Sequence, residues 1–364
     1  MWLATRRYSR LFDRLRGGCH SARMALYPLF RPLAFALDAE RAHRLTIRAL
    51  KLVPPGMPPR LDPALSSNVA GLTFVNPVGV AAGFDKDAEV WRQMLGFGFG
   101  FVEVGTLTPR PQEGNPKPRL FRLVEDRAVI NRMGFNNRGQ ADALPRLRAT
   151  GPGLVGANIG ANKDSADRIA DYAAGVRALA EAADYLTINI SSPNTPGLRA
   201  LQDRGALEEL VAAVREARGE SGTPLFLKVA PDLEPADIDD NAAVAVGRID
   251  ALIVANTTVS RPVLRSRHRT EAGGLSGVPL RALALQRLKD FRTATGGGIP
   301  LIAAGGIENG VDAWERIRAG ASLVQVYTAL VYQGPGLAAA IARELRGLLR
   351  REGFATLEEA VGSG

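Results

Sequence analysis

From about residue 70 the chain alternates short, unbroken apolar runs with longer stretches whose apolar positions recur at helical spacing. The runs cover 77–82, 101–105, 155–159, 185–190, 225–229, 251–255, 299–303 and 322–327, and amphipathic stretches such as 166–183, 206–220 and 279–293 lie between them. A strand covered on both faces in a parallel sheet has no polar side, so it reads as a continuous run and not as an alternation. Eight such runs interleaved with helices predict an α/β fold, the (β/α)8 barrel. A doubly wound open sheet is the structural alternative, but no GxGxxG follows the first run.

The region before the barrel has a different pattern. Residues 24–52 read as two short helices. The first crowds Leu26, Leu29, Phe30, Leu33, Phe35 and Leu37 together; the second carries Leu45, Ile47 and Leu50 among arginines. Asp38 is a natural N-cap for the second helix, and with Arg41 at the third position no capping box forms. Arg31 and Pro32 break the apolar run well short of the ~20 residues that span a bilayer. Two arrangements fit: a helix pair lying in a membrane interface, apolar face inward, or a hairpin packed on the barrel. Pro54-Pro55-Gly56 and Pro58-Pro59 predict a stiff linker. The expected organisation is thus a basic extension at 1–23, a helical membrane-associating segment at 24–53, a linker at 54–69 and a barrel at 70–364. Residues 1–23 have the arginine-rich composition of a transit-type presequence, or else translation starts at Met24.

Charge sharpens this division. Of 364 residues, 46 are Lys or Arg and 37 are Asp or Glu, a net charge of +9. Residues 1–51 hold 11 of the basic and 3 of the acidic ones, and the remaining 35 and 34 nearly balance. So no nucleic-acid partner is expected of the barrel; a basic segment beside a neutral body suits an anionic lipid surface. With one cysteine, Cys19, an intramolecular disulfide is excluded, and a reducing compartment is expected. That cysteine and three histidines do not make a His/Cys metal cage, so no metal is expected.

In a barrel the chemistry sits just past the C-terminal ends of the strands. Following the runs in order come Gly83-Phe84-Asp85-Lys86, then Thr106, then Asn158 and Asn162, then Asn189-Ile190-Ser191-Ser192-Pro193-Asn194. Next are Lys228, Asn256-Thr257-Thr258, Gly305-Gly306, and Tyr327 with Thr328. Amides, hydroxyls and two lysines suit a planar heterocycle that needs donors and acceptors fixed in direction. Ordinary turn geometry explains either glycine turn, at 305–306 or 273–277, better than a ligand does, but both together in a barrel favour a phosphorylated cofactor.

Five segments then carry a resemblance: AAGFDK at 81–86, PQEGNP at 111–116, NRMGFNN at 131–137, NISSPNTPGLR at 189–199 and GGLSG at 273–277. Collinear from about Met24 to the C-terminus, they resemble dihydroorotate dehydrogenase. The N-terminal helices and the serine in NISSPN are similar to the class 2, membrane-associated, quinone-reducing branch; class 1 has a cysteine at the base position and lacks the helices.

The resemblance implies oxidation of dihydroorotate to orotate in de novo pyrimidine synthesis, with FMN as cofactor and ubiquinone or menaquinone as acceptor. It implies Ser192 as general base. It implies an FMN site of Ala82, Gly83, Lys86, Thr106, Asn158, Asn189, Lys228, Ala255, Gly277, Gly306, Tyr327 and Thr328. Substrate contacts fall to Lys86, Asn131, Arg132, Met133, Gly134, Phe135, Asn189, Asn194, Asn256 and Thr257. His43 and Arg122, with Tyr327, match positions near the quinone tunnel. Relatives often carry a hydroxyl where Ala255 stands, leaving that position a backbone contact at most. Peripheral attachment to the cytoplasmic face of a bacterial inner membrane is the expected location, with the mitochondrial inner membrane as the alternative. Competing readings are an FMN barrel using NAD or fumarate, and a non-catalytic membrane-binding barrel that retains a flavin.

Overall fold

The eight apolar runs form eight strands: β1 (Val78–Val80), β2 (Phe101–Leu107), β3 (Leu154–Ile159), β4 (Tyr185–Asn189), β5 (Leu225–Val229), β6 (Ala251–Val254), β7 (Leu301–Ala304) and β8 (Ala321–Val326). The structure, a computed structural model, describes residues 27–149 and 151–364; the expectations for residues 1–23 lie outside them. Each strand pairs in parallel with the next, and β8 pairs with β1, so the sheet closes as a barrel. Nearly every strand residue is buried, which is why the runs show no alternation. Helices Arg168–Leu179, Arg204–Arg218 and Arg281–Ala294 occupy the three amphipathic stretches.

The N-terminal end of the barrel is plugged. Phe74, Phe101, Tyr185 and Phe226 are fully buried there, with Phe74 edge-on to Phe101 at 5.0 Å and Tyr185 stacked on Phe226 at 4.5 Å between centroids. Gly79 on β1 and Gly156 on β3 make this possible: a Cβ at either would lie 2.2 or 2.1 Å from the rings of Phe101 or Tyr185. A hairpin of Ser67–Val69 and Leu72–Phe74 packs into the same cluster, so the stretch expected to be linker up to 69 already carries a strand. With this end closed, the C-terminal rim is the accessible one. Over it lies a three-stranded antiparallel sheet of Leu120–Leu123, Ala128–Asn131 and Gly274–Gly277.

Two helices, α1 (Tyr27–Ala36) and α2 (Ala39–Lys51), flank the rim. α1 runs through Pro32. Asp38 caps α2, its carboxylate accepting the Arg41 N–H at 2.9 Å. The inner faces are tied down by polar contacts. The buried Glu40 carboxylate accepts from Nε and Nη2 of Arg119 at 3.0 and 2.9 Å, and Lys51 pairs with Glu89 at 2.7 Å. Arg122 donates to the carbonyls of Ala34, Phe35 and Leu37, closing the C-terminal end of α1. The outward face of α1 is apolar: Leu29, Phe30 and Leu33 are 70%, 59% and 69% exposed. The pair is thus packed on the barrel through its inner edge and leaves an apolar face exposed. Among the described residues no helix is long and apolar enough to cross a membrane.

Candidate active site

A cavity of about 540 Å³ opens at the rim and continues between the barrel and α1–α2. Its floor is polar. Register places Asn189 at the end of β4 directly beside Lys228 on β5. Asn189 Nδ2 donates to Thr106 Oγ1 at 3.1 Å and to Asn158 Oδ1 at 3.0 Å, while Thr106 Oγ1 donates to Asn158 Oδ1 at 2.6 Å. Ser191 Oγ bonds Asn189 Oδ1 at 3.0 Å and accepts from Asn256 Nδ2 at 2.9 Å. Each amide is thus fixed in direction by a neighbour on another strand.

Beneath this layer is a carboxylate that the sequence reading did not single out. Glu103, in the middle of β2, is completely buried. It accepts from Asn158 Nδ2 and Gln325 Nε2, both at 2.8 Å, from Thr187 Oγ1 at 3.0 Å, and from Tyr185 OH at 3.4 Å. Lys228 Nζ lies 4.0 Å from Glu103 Oε1 and 3.5 Å from Gln325 Oε1. Burial lowers the Lys228 pKa, and Glu103 draws it back up. The only signal in the sequence is an acid inside the otherwise apolar run FVEVG.

Ser192 follows β4 on a loop held by its neighbours. Asn115 Nδ2 donates to the carbonyls of Asn194 and Arg132, each at 3.0 Å, and Arg199 Nε to that of Ser191 at 3.1 Å. Ser192 Oγ accepts the Asn194 N–H at 3.2 Å, and Asn194 Nδ2 donates to Asn131 Oδ1 at 3.1 Å. Thr195 Oγ1 is buried and has no partner among the described residues.

The other expected residues divide cleanly. Ala82, Gly83, Lys86, Ala255, Thr257, Gly277, Gly306, Tyr327 and Thr328 line the cavity, as do Met133, Gly134 and Phe135. Asn158 and Arg132 do not. Asn158 sits one layer below the floor and orients it. Arg132 turns outward to Glu271 at 2.8 Å and stacks over Phe121. Asp85 is also drawn away from the mouth: its carboxylate accepts the N–H groups of Glu89 and Val90, both at 2.7 Å, and burial raises its pKa to about 6. Lys86 Nζ donates to the Gly83 carbonyl at 2.8 Å, and burial lowers its pKa to about 8 despite Asp87.

The upper part of the cavity is apolar, walled by Phe30, Ala34, Phe35, Ala42, Leu50 and Val53 of the helical segment. At its junction with the floor, His43 meets Phe84 edge-on at 5.6 Å, and both face Tyr327, at 6.5 and 5.9 Å. Burial in this aromatic setting, with Lys86 nearby, lowers the His43 pKa to about 3, so the imidazole is neutral. Arg122 lines the same chamber while bracing α1, with its guanidinium 4.7 Å from the Phe35 ring centroid.

The donor set suits a flavin. A buried ammonium with only long contacts, amides of fixed direction and an elongated cavity are what an electron-accepting heterocycle requires. Comparison with known proteins agrees. The family profile described as dihydroorotate dehydrogenase matches residues 64–349. A protein of Novosphingobium aromaticivorans named dihydroorotate dehydrogenase (quinone) is 64% identical over 348 residues, covering 93% of this chain and 100% of its own. One of the same name from Erythrobacter litoralis is 66% identical over 341 residues, covering 93% and 99%. Among solved structures, DHODH from Eimeria tenella in complex with ferulenol superposes with a TM-score of 0.84 at 44% identity, covering 89% of this chain and 95% of that one. Fold and site together define a flavin-dependent (β/α)8-barrel oxidoreductase. The chain belongs to the dihydroorotate dehydrogenase family.

Proposed function

We propose that the polar floor oxidises dihydroorotate to orotate with FMN as the bound flavin, and that a quinone reaches it through the apolar chamber under α1 and α2. The carrying observation is that one continuous cavity joins Ser192, Lys228 and the asparagine layer to an apolar chamber walled by the N-terminal helices. A flavin held there would supply the acceptor for the hydride that leaves C6 of the substrate.

Ser192 takes the C5 proton. A serine hydroxyl is a poor base unless its own proton leaves as it accepts another. Its oxygen already accepts the Asn194 N–H, which leaves the hydroxyl hydrogen free to be passed on; in this reading it goes by way of the Thr195 hydroxyl or a water chain to bulk water. Lys228, buried at the cavity floor, would stabilise the negative charge that a bound flavin gains on reduction, in a site of low dielectric where that charge counts most. Asn131, Asn194, Asn256 and Thr257 supply donors and acceptors for the carboxylate, imide and carbonyls of orotate, and Lys86 adds a cation. Gly277, Gly306, Tyr327 and Thr328, which line the cavity together, would hold the phosphate. His43 and Tyr327, neutral and aromatic, form the passage between the two chambers.

The exposed apolar face of α1, with Arg41, Arg44 and Arg48 on α2, would seat the chain on an anionic bilayer without crossing it. This reading places it on the cytoplasmic face of a bacterial inner membrane and involves no nucleic acid. Stopped-flow mixing tests the whole scheme: dihydroorotate should bleach the flavin anaerobically, and a short-chain ubiquinone should restore it. A flavin that bleaches but is reoxidised by NAD or fumarate and not by quinone would refute the acceptor. A flavin that dihydroorotate leaves oxidised would refute the substrate. Release of riboflavin or FAD on denaturation would refute FMN.

A further inference from the structure

Arg316 is the bulkiest fully buried side chain among the described residues. It projects from helix Gly310–Arg318, behind β7. Nη2 donates to the carbonyls of Arg281 at 2.7 Å and Gly305 at 3.4 Å. Nε and Nη1 have no partner among the described residues, and no carboxylate there forms an ion pair with it. The nearby acids are engaged elsewhere: Asp312 by Arg281 at 2.9 Å, Glu308 by Arg281 and Arg127 at 3.2 and 2.9 Å. Glu315 is on the exposed side of the same helix. Burial lowers the Arg316 pKa to about 10, so the group stays charged at neutral pH.

Glu315 and Asp312 stabilise that charge at longer range and Arg281 opposes it, but no carboxylate pairs with it directly, and a buried cation left without a paired carboxylate is costly unless an anion approaches it. The guanidinium backs the Gly305-Gly306 turn, and that turn lines the cavity. The turn is thin: a Cβ on Gly306 would lie 2.4 Å from Cα of Arg281, whose carbonyl Arg316 holds. The guanidinium thus contacts the back of a turn whose residues Gly305 and Gly306 line the cavity together with Gly277 and Thr328.

We propose that Arg316 is a specificity determinant for the phosphate end of the flavin, its buried charge acting through the Gly305-Gly306 turn to favour a phosphate dianion over an uncharged ribityl terminus. This rests on the FMN reading above and adds to it a residue that makes no direct contact. The test is fluorescence titration of flavin-depleted protein with FMN and with riboflavin, for wild type, Arg316→Lys and Arg316→Gln. Wild type should prefer FMN. Arg316→Gln should lose about tenfold or more in FMN affinity, as expected for a unit charge acting across a partly buried gap, with riboflavin affinity unchanged; Arg316→Lys should keep most of the preference. An unchanged FMN-to-riboflavin ratio in Arg316→Gln, or equal loss of both ligands, overturns the proposal and leaves Arg316 a packing residue. A wild type with no preference for FMN refutes the phosphate reading itself. If Arg316→Gln does not fold, 31P NMR of the holoenzyme decides. The bound phosphate should remain dianionic below about pH 6, where a free monoester takes up a proton; titration at the free value overturns the proposal.

Discussion

The two halves of the cavity are built on opposite principles. The floor is a closed hydrogen-bonded network in which almost every polar atom is held by a neighbour from another strand, with Glu103 at its centre. The upper chamber has apolar walls carried on two short helices, attached to the body by polar contacts at their inner edge and by the packing of Phe35, His43, Ile47 and Leu50. The difference matches the tasks the proposed function assigns to the two halves. Positioning a flat, polyfunctional substrate needs donors that do not move. Admitting a lipid-soluble acceptor needs a surface that matches hydrocarbon and a wall that can give way.

The largest expected effect separates the halves. Ser192→Ala should slow flavin bleaching by dihydroorotate by about two to four orders of magnitude and leave reoxidation by quinone unchanged, as read by stopped-flow in each half-reaction. Equal slowing of both would mean that the chambers are not independent. Next comes the core of the floor. Glu103→Leu strands the buried Lys228 ammonium and the donors of Asn158 and Gln325, and should cost about 3–5 kcal/mol of stability in a denaturant titration. A cost under about 1 kcal/mol would show that the network is dispensable to folding.

Glu40→Gln probes the attachment of the upper chamber. Loss of the charge opposite Arg119 should cost about 1–3 kcal/mol, expressed as protease sensitivity of α2 and a raised KM for quinone, with the dihydroorotate half-reaction retained. A change confined to the dihydroorotate half-reaction would place the pair's influence in the floor instead. The smallest effect concerns pH. His43 has its folded pKa lowered to about 3 from an ordinary ~6.5. Below the ordinary value the unfolded chain binds a proton that the folded chain refuses. The stabilisation is therefore complete above about pH 6.5 and lost as pH falls towards 3, by at most about 1.4 kcal/mol per pH unit. His43→Phe should flatten the acid limb of the Tm–pH profile. An unchanged limb would show that the imidazole is hydrated and titrates normally.

Legibility in the sequence tracks how local each feature is. The strand runs can be read because burial on both faces demands unbroken hydrophobicity, and each lies on its strand within a few residues. The N-cap at Asp38 is equally local. The motif segments locate Ser192, Lys86 and the asparagines at the mouth, and the cavity gathers them. Arg132, inside one of these segments, and Asn158, on β3, miss it, because neighbours in sequence leave a strand on opposite faces or at different depths. Glu103 is illegible for the same reason: an acid inside a strand does not announce which way it points. The overlying sheet of 120–123, 128–131 and 274–277 joins segments more than 140 residues apart, and no local pattern predicts that.

What the sequence determined by itself is the set of elements and their order, the basic character of the N-terminal segment, and the chemical types presented at the rim. Those depend on hydrophobic period and residue chemistry, which are written along the chain. Only the tertiary structure decided that α1 and α2 wall the same cavity, that Glu103 organises its floor, and that Arg316 stands without a paired carboxylate behind a glycine turn. Each of these depends on the direction of a side chain and on barrel closure, which arise when distant segments compete for the same buried space.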